Sequence, residues 1–169
     1  MMMTVPLYLS LGSNIEPSFS YLRKALMHLS RYFQMDDHSM LYRTAPQDDL
    51  NQASFFNLCV KCYTDLLDPY DVLEIIQKIE KDIGRQKSPE RPKGPRAIDI
   101  DIILFGDEEM NEKTLTIPHK SWKKRNFVLI PLLDVDEELG VIYPIKKWIR
   151  ENQRRGGQEV ECLGEFTLG

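Results

Sequence analysis

Gly94-Pro95-Arg96-Ala97-Ile98-Asp99-Ile100-Asp101-Ile102-Ile103-Leu104-Phe105-Gly106 reads with a period of two. Ile98, Ile100, Ile102 and Leu104 fall on one side of an extended chain, and Asp99, Asp101, Ile103 and Phe105 on the other. β-branched density between glycines predicts a strand, Ile98 to Leu104, with one wholly apolar face. The opposite face carries two aspartates, their Cα atoms roughly 7 Å apart at a rise of about 3.3 Å per residue. Carboxylates held that close repel unless a cation, a proton or an arginine lies between them.

The segment just upstream supplies the opposite charge. Arg85 to Arg96 holds Arg85, Lys87, Arg91, Lys93 and Arg96 against one acid, Glu90, with three prolines and no other apolar side chain. Five cations less one anion leave a net charge of about +4 at neutral pH. The composition predicts a mobile cationic loop running into the aspartate strand. A basic loop beside a carboxylate pair suits a nucleoside triphosphate with Mg²⁺, which takes one or two carboxylates together with water and phosphate oxygens. Positioning and charge neutralisation do most of the work in phosphoryl transfer. The plainer alternative is that Asp99 and Asp101 pair with Arg85, Arg91 or Arg96 as ordinary salt bridges. Neither a Walker A loop nor a G-x-G-x-x-G run is present.

Bulk properties narrow the class. The 169 residues, 42% hydrophobic and 28% charged, predict a single globular domain spanning 1–169. A net charge of −4 argues against a general nucleic-acid binder, and no apolar run approaches the roughly 20 residues that cross a bilayer. The N-terminal residues lack a basic region before an apolar run, so the cytoplasm is the expected compartment. Three cysteines suit reducing conditions. Cys59-Val60-Lys61-Cys62 has the spacing of a redox or zinc motif, but it lies in an alternating run. Residues three apart on a strand face opposite ways, so the two thiols should diverge.

Outward from the aspartate strand, Leu7–Leu11 reads as a first strand ending at Gly12-Ser13-Asn14. Leu22, Ala25, Leu26, Leu29 and Phe33 mark a helix, and 39–44 a second strand. Residues 55–66 form the longest strand. A second helix follows, with Asp68 as N-cap, Pro69 at its first position and Gly84 just past its end. Residues 145–152 suggest a last helix and 160–166 an edge strand. The order β-α-β-β-α-β predicts an α+β, ferredoxin-like core with a mostly antiparallel sheet and extra C-terminal strands and helices.

These motifs together resemble the 6-hydroxymethyl-7,8-dihydropterin pyrophosphokinase family of folate biosynthesis. The likeness runs from Leu7 to about Leu133. It is carried by Leu11-Gly12-Ser13-Asn14, Tyr42-Arg43-Thr44-Ala45-Pro46, Phe55-Phe56-Asn57, Ile79-Glu80, Gly84-Arg85, Gly94 to Ile102, Ile117-Pro118-His119 and Arg125-Asn126-Phe127. The resemblance implies that ATP, the co-substrate, gives its β,γ-pyrophosphoryl group to the pterin hydroxymethyl oxygen, leaving AMP. By that likeness Asp99 and Asp101 bind two Mg²⁺ ions, one bridging the α- and β-phosphates and the other the β- and γ-phosphates. Arg85 and Arg96 contact the transferring phosphates, with Lys87 and Arg91 assisting. His119 and Arg125 meet the triphosphate, while Gln77, Ile102 and Thr116 lie near the nucleotide. Phe55 and Phe127 sandwich the pterin, and Asn57 and Thr44 meet its polar edge. Other folate-pathway enzymes are the implied partners.

Read without the resemblance, Phe55 and Phe127 are core residues, His119 a surface histidine, and Gln77 and Glu80 the solvated flank of a helix. The chain also departs from the family pattern. Phe55 stands where tyrosine is frequent, and Lys87 where arginine is. Pro92-Lys93 replaces a tryptophan before Gly94, and residues 47–54 lack a glycine. A nucleotidyl- or phosphotransferase with another acceptor, or a non-catalytic nucleotide- or pterin-binding protein, remains the alternative. The aspartate pair favours catalysis, because a neutral pterin needs no metal.

Overall fold

The computed structural model describes residues 3–46, 49–84, 90 and 94–168. The chain begins β1 (Val5–Ser13), α1 (Ser18–Ser30), β2 (Gln34–His38), β3 (Leu41–Thr44), β4 (Phe55–Thr64) and α2 (Pro69–Ile83). It continues with β5 (Asp99–Phe105), the short pair β6 (Met110–Asn111) and β7 (Thr116–Ile117), and a 3₁₀ turn (Trp122–Lys124). The C-terminal part holds α3 (Asn126–Val135), α4 (Leu139–Ile142), α5 (Ile145–Arg155) and β8 (Val160–Gly164). The main sheet has six strands in the order β5-β1-β4-β3-β8, with β2 also on β4. Every pairing is antiparallel.

Alternation along the central strands makes two cores. Leu7, Leu9 and Leu11 of β1, Leu58, Val60 and Cys62 of β4, and Ile98, Ile100 and Ile102 pack beneath the apolar stripes of α1 and α2. On the other face Tyr8, Cys59, Ile103 and Leu104 pack with Trp122 and with Val128, Leu129 and Leu132 of α3. The sheet is thus a middle layer between helices. Cys59 and Cys62 lie in different cores, as the strand reading requires, and both are free and buried.

The aspartate strand departs from simple alternation. Leu9 pairs with Ile102 but Tyr8 with Leu104, leaving Ile103 as an extra residue. This bulge sends both Ile103 and Leu104 towards α3 and turns Phe105 to join Ile98, Ile100 and Ile102. Leu104 and Phe105 therefore exchange the faces that strict period two assigned them. The strand expected over 39–44 is the shorter β3, and β2 precedes it as a strand not expected from the sequence. β2 and β3 both pair with β4, and Ser39 bridges the gap through its N–H to Cys59 O (2.8 Å) and its hydroxyl, which accepts from Cys59 N–H (2.9 Å). β2, Gln-Met-Asp-Asp-His, is too polar to announce itself by alternation.

α2 is bounded as its caps predict. The Asp68 carboxylate accepts from Tyr70 N–H at 2.9 Å, Pro69 occupies the first turn, and Gly84 ends the helix at φ 113°. An N-cap of this kind is worth about 1 kcal/mol. α3 is tied to the sheet at its far end. Tyr8 OH donates to Asp136 (2.5 Å), Lys61 Nζ lies 3.2 Å from the same carboxylate, and Tyr42 OH donates to Asp134. β8 pairs with β3 at the sheet edge, as expected of the C-terminal segment.

Candidate active site

Antiparallel register gathers the site on the face of the sheet turned to α3. Asp99 pairs with Gly12, and Gly12 with Asn57. Asp101 pairs with Ser10, and Ser10 with Cys59. Paired residues share a face, and adjacent strands lie about 4.8 Å apart, so Asp99 and Asn57 stand about 10 Å apart across Gly12. Gly12 has no Cβ, which leaves a trough between them. A Cβ there would lie 3.0 Å from Asn57 Oδ1. Asn57 in turn donates to Thr44 Oγ1 at 2.8 Å, and Thr44 pairs with Phe55.

Arg96 closes one end of the trough. Its N–H donates to Asn14 Oδ1 (2.9 Å), and its carbonyl accepts from Asn14 N–H (3.2 Å). Its guanidinium lies 3.5 Å from Asp99 and 5.0 Å above the Phe55 ring. Asn14 also donates to Gln52 Oε1 and Ala53 O, and so ties the loop before β4 to the segment before β5. One arginine therefore stands between the carboxylate row and an aromatic face.

His119 serves the other aspartate. Its N–H donates to Ile103 O at 3.0 Å, and Nε2 lies 3.9 Å from Asp101. Ser121 N–H donates to Nδ1 at 3.1 Å, which makes Nδ1 the acceptor and leaves the ring proton on Nε2, facing Asp101. The side chains of Asp99 and Asp101 are 24% and 34% exposed. Both are reachable from solvent, and their donor set of hard carboxylate oxygens suits a hard cation. Among the described residues no cluster of three or more His, Cys, Asp or Glu could hold a metal. Water and the oxygens of a bound ligand could complete the shell of such a cation.

The other expected residues divide. Arg125 is the N-cap of α3, its guanidinium 5.6 Å above the half-buried Phe127 ring. Thr116 lies half-buried on β7, and Gln77 on the exposed flank of α2. Ile102 is a core residue, so its main chain is what it can offer a ligand. Arg85, Lys87 and Arg91 lie outside the described residues. Glu80 is not on a solvated flank. It is 7% exposed, and Oε2 accepts from Ile100 N–H at 2.9 Å, between the two aspartates. The sequence signal was the helical spacing Ile76, Glu80, Ile83, which puts Glu80 on the buried stripe. Asn14 could have been singled out as the polar residue ending a core strand.

The family model for 7,8-dihydro-6-hydroxymethylpterin-pyrophosphokinase matches residues 8–137. The chain belongs to the 7,8-dihydro-6-hydroxymethylpterin-pyrophosphokinase family. Membership brings pyrophosphoryl transfer to hydroxymethyldihydropterin in folate biosynthesis. A 2-amino-4-hydroxy-6-hydroxymethyldihydropteridine pyrophosphokinase of Aquifex aeolicus is 42% identical over 139 residues, 82% of this chain and 83% of that protein. The protein of the same name from Bacillus subtilis is 37% identical over 134 residues, 78% of each chain. A crystal structure of Plasmodium falciparum HPPK-DHPS with pteroate superposes with a TM-score of 0.72 at 18% identity. The match covers 93% of this chain but 47% of that one, and it shows a shared fold alone.

Proposed function

We propose that this pyrophosphokinase transfers the β,γ-pyrophosphoryl group of ATP to the hydroxymethyl oxygen of 6-hydroxymethyl-7,8-dihydropterin and releases AMP, using Mg²⁺ held by Asp99 and Asp101. The observation that carries this reading is the row Asp99-Gly12-Asn57, with Arg96 and Phe55 at its end. It sets an acidic half-site beside an aromatic, amide-recognising one with no side chain between them.

In the acceptor half, Phe55 and Phe127 offer flat faces to a heterocycle. Asn57 presents both a donor and an acceptor to its polar edge, held in orientation by Thr44. In the donor half, two Mg²⁺ ions would neutralise the triphosphate and lower the pKa of the attacking hydroxyl. Arg96 offers a fork to the transferring phosphates from a fixed backbone, and Arg85 joins it from the segment before Gly94. Lys87, Arg91 and Arg125 add charge. His119, with Nδ1 accepting from Ser121, donates from Nε2. Gln77, Ile102 and Thr116 line the nucleotide.

The ferredoxin-like assignment has support in the strand order. With β2 and β3 taken as one interrupted strand, order and directions are those of a split β-α-β unit, closed by β5 beside β1. No helix among the described residues is long and apolar enough to cross a membrane, and we place the enzyme in the cytoplasm. A relative named Bifunctional protein FolKE from Lactococcus lactis subsp. cremoris, 37% identical with 36% of its length covered, motivates other folate-pathway enzymes as partners.

Nucleotide products separated after incubation with ATP, Mg²⁺ and the pterin test the reaction. AMP formed only when the pterin is present is the expected result. ADP as the product, or AMP release indifferent to the pterin, would overturn it.

A further inference from the structure

The family match ends at residue 137, yet the segment beyond it grips the turn and the start of α3, which carry two of the proposed binding residues. Asn126 and Asn152 are both fully buried. Asn152 Nδ2 donates to Asn126 Oδ1 at 2.8 Å and to Lys123 O at 3.0 Å. Asn126 Nδ2 donates to Ile149 O at 3.2 Å, and Asn126 N–H donates to Gln158 Oε1 at 3.2 Å. Arg155 donates to Asn152 Oδ1. The carbonyl of Lys123 can only accept, so the orientation of the Asn152 amide is dictated, and with it that of Asn126.

Every polar group of these two side chains is thus used, in a region where an orphan would be costly. Chain continuity makes the consequence local. Arg125 and Phe127 are the immediate neighbours of Asn126, and they are proposed to meet the triphosphate and the pterin. We infer that Asn152 and Gln158 are positioning residues for catalysis: α5 and the tail fix the Lys123–Asn126 turn, so that Phe127 and Arg125 stand ready for substrates. This rests on the acceptor-site reading above. The clasp of Tyr8, Lys61 and Tyr42 on Asp134 and Asp136 secures the other end of α3, which leaves the N-terminal end to this network.

The test is a double-mutant cycle in steady-state kinetics, run well below the unfolding temperature of each variant. Asn152→Ala should raise KM for the pterin about tenfold, because small displacements of a binding group are costly. In a Phe127→Ala background the same change should raise it less than about twofold, since the ring being positioned is gone. Gln158→Ala removes the acceptor of the Asn126 N–H from a half-exposed side chain, keeps the fold, and should give a smaller rise that also vanishes in the Phe127→Ala background. Equal factors in both backgrounds, or no change from either Asn152→Ala or Gln158→Ala, would overturn the positioning role while leaving the acceptor site intact. An unchanged pterin KM in Phe127→Ala itself would overturn the acceptor-site reading, and the positioning role with it.

Discussion

Glu80→Ala probes how the aspartate strand is held. Glu80 sits on the buried flank of α2 and accepts the Ile100 N–H, midway between Asp99 and Asp101 on a strand whose other edge is taken by β1. Truncation deletes a hydrogen bond to a charged acceptor and strands a buried N–H. The first is worth about 1.5–3 kcal/mol, and water entering the vacated space offsets part of it. A loss of about 2 kcal/mol is expected, or roughly 4–8 °C in Tm for a chain of this size. Glu80→Gln keeps an acceptor oxygen at lower charge and should lose about 1 kcal/mol. Turnover should fall with both, more for alanine, because the bond sets the strand segment bearing both carboxylates. Urea unfolding followed by fluorescence of the two tryptophans gives the stabilities. A Glu80→Ala protein within about 0.5 kcal/mol of wild type, and fully active, would refute the reasoning.

Three further outcomes follow from other contacts. Gly12→Ala forces Asn57 away from its 3.0 Å approach, so pterin KM should rise while stability falls by only about 1 kcal/mol; an unchanged KM would mean that the trough is not used. Burial raises the pKa of Asp136, but hydrogen bonds from Tyr8 and Lys61 and the charge of Lys61 outweigh it and leave the value below the usual 3.8. A depressed folded pKa stabilises the protein above pH 3.8 and is lost as pH falls through the folded value, so Asp136→Asn should flatten the acid limb of a stability–pH curve; an unaltered limb would contradict this. Burial pushes the Cys62 thiol up to about 12 and raises that of Cys59 as well, so a thiol reagent should label only the exposed Cys162 in the folded protein, and rapid labelling of all three would contradict the packing.

Much of this was legible in the chain because it depends on short-range rules. The caps of α2 follow from Asp68, Pro69 and Gly84, and the divergence of Cys59 and Cys62 from strand geometry. The aspartate pair stood out because period two left two charges on a core strand. Features that depend on register did not show. The bulge at Ile103 is a relation between β5 and β1, and no property of Ile-Ile-Leu-Phe alone predicts it. Gly12 is an ordinary turn signal until Asp99 and Asn57 are placed on either side of it. Glu80 looked solvated because glutamate usually is, and the Ile100 N–H that meets its buried carboxylate comes from twenty residues away. The tyrosine–aspartate contacts of α3 and the Asn126–Asn152 network link residues up to 128 apart, beyond any local pattern.

The proposed role of Asp99 and Asp101 is to hold Mg²⁺ for pyrophosphoryl transfer. It is tested most directly by AMP formation in Asp99→Asn and Asp101→Asn across a Mg²⁺ titration, with unfolding curves taken on the same samples. A fall in kcat of about a thousandfold or more, ~4 kcal/mol in the barrier, is expected in proteins that unfold near the wild-type midpoint. Wild-type turnover by either variant at the same Mg²⁺ concentration would contradict it.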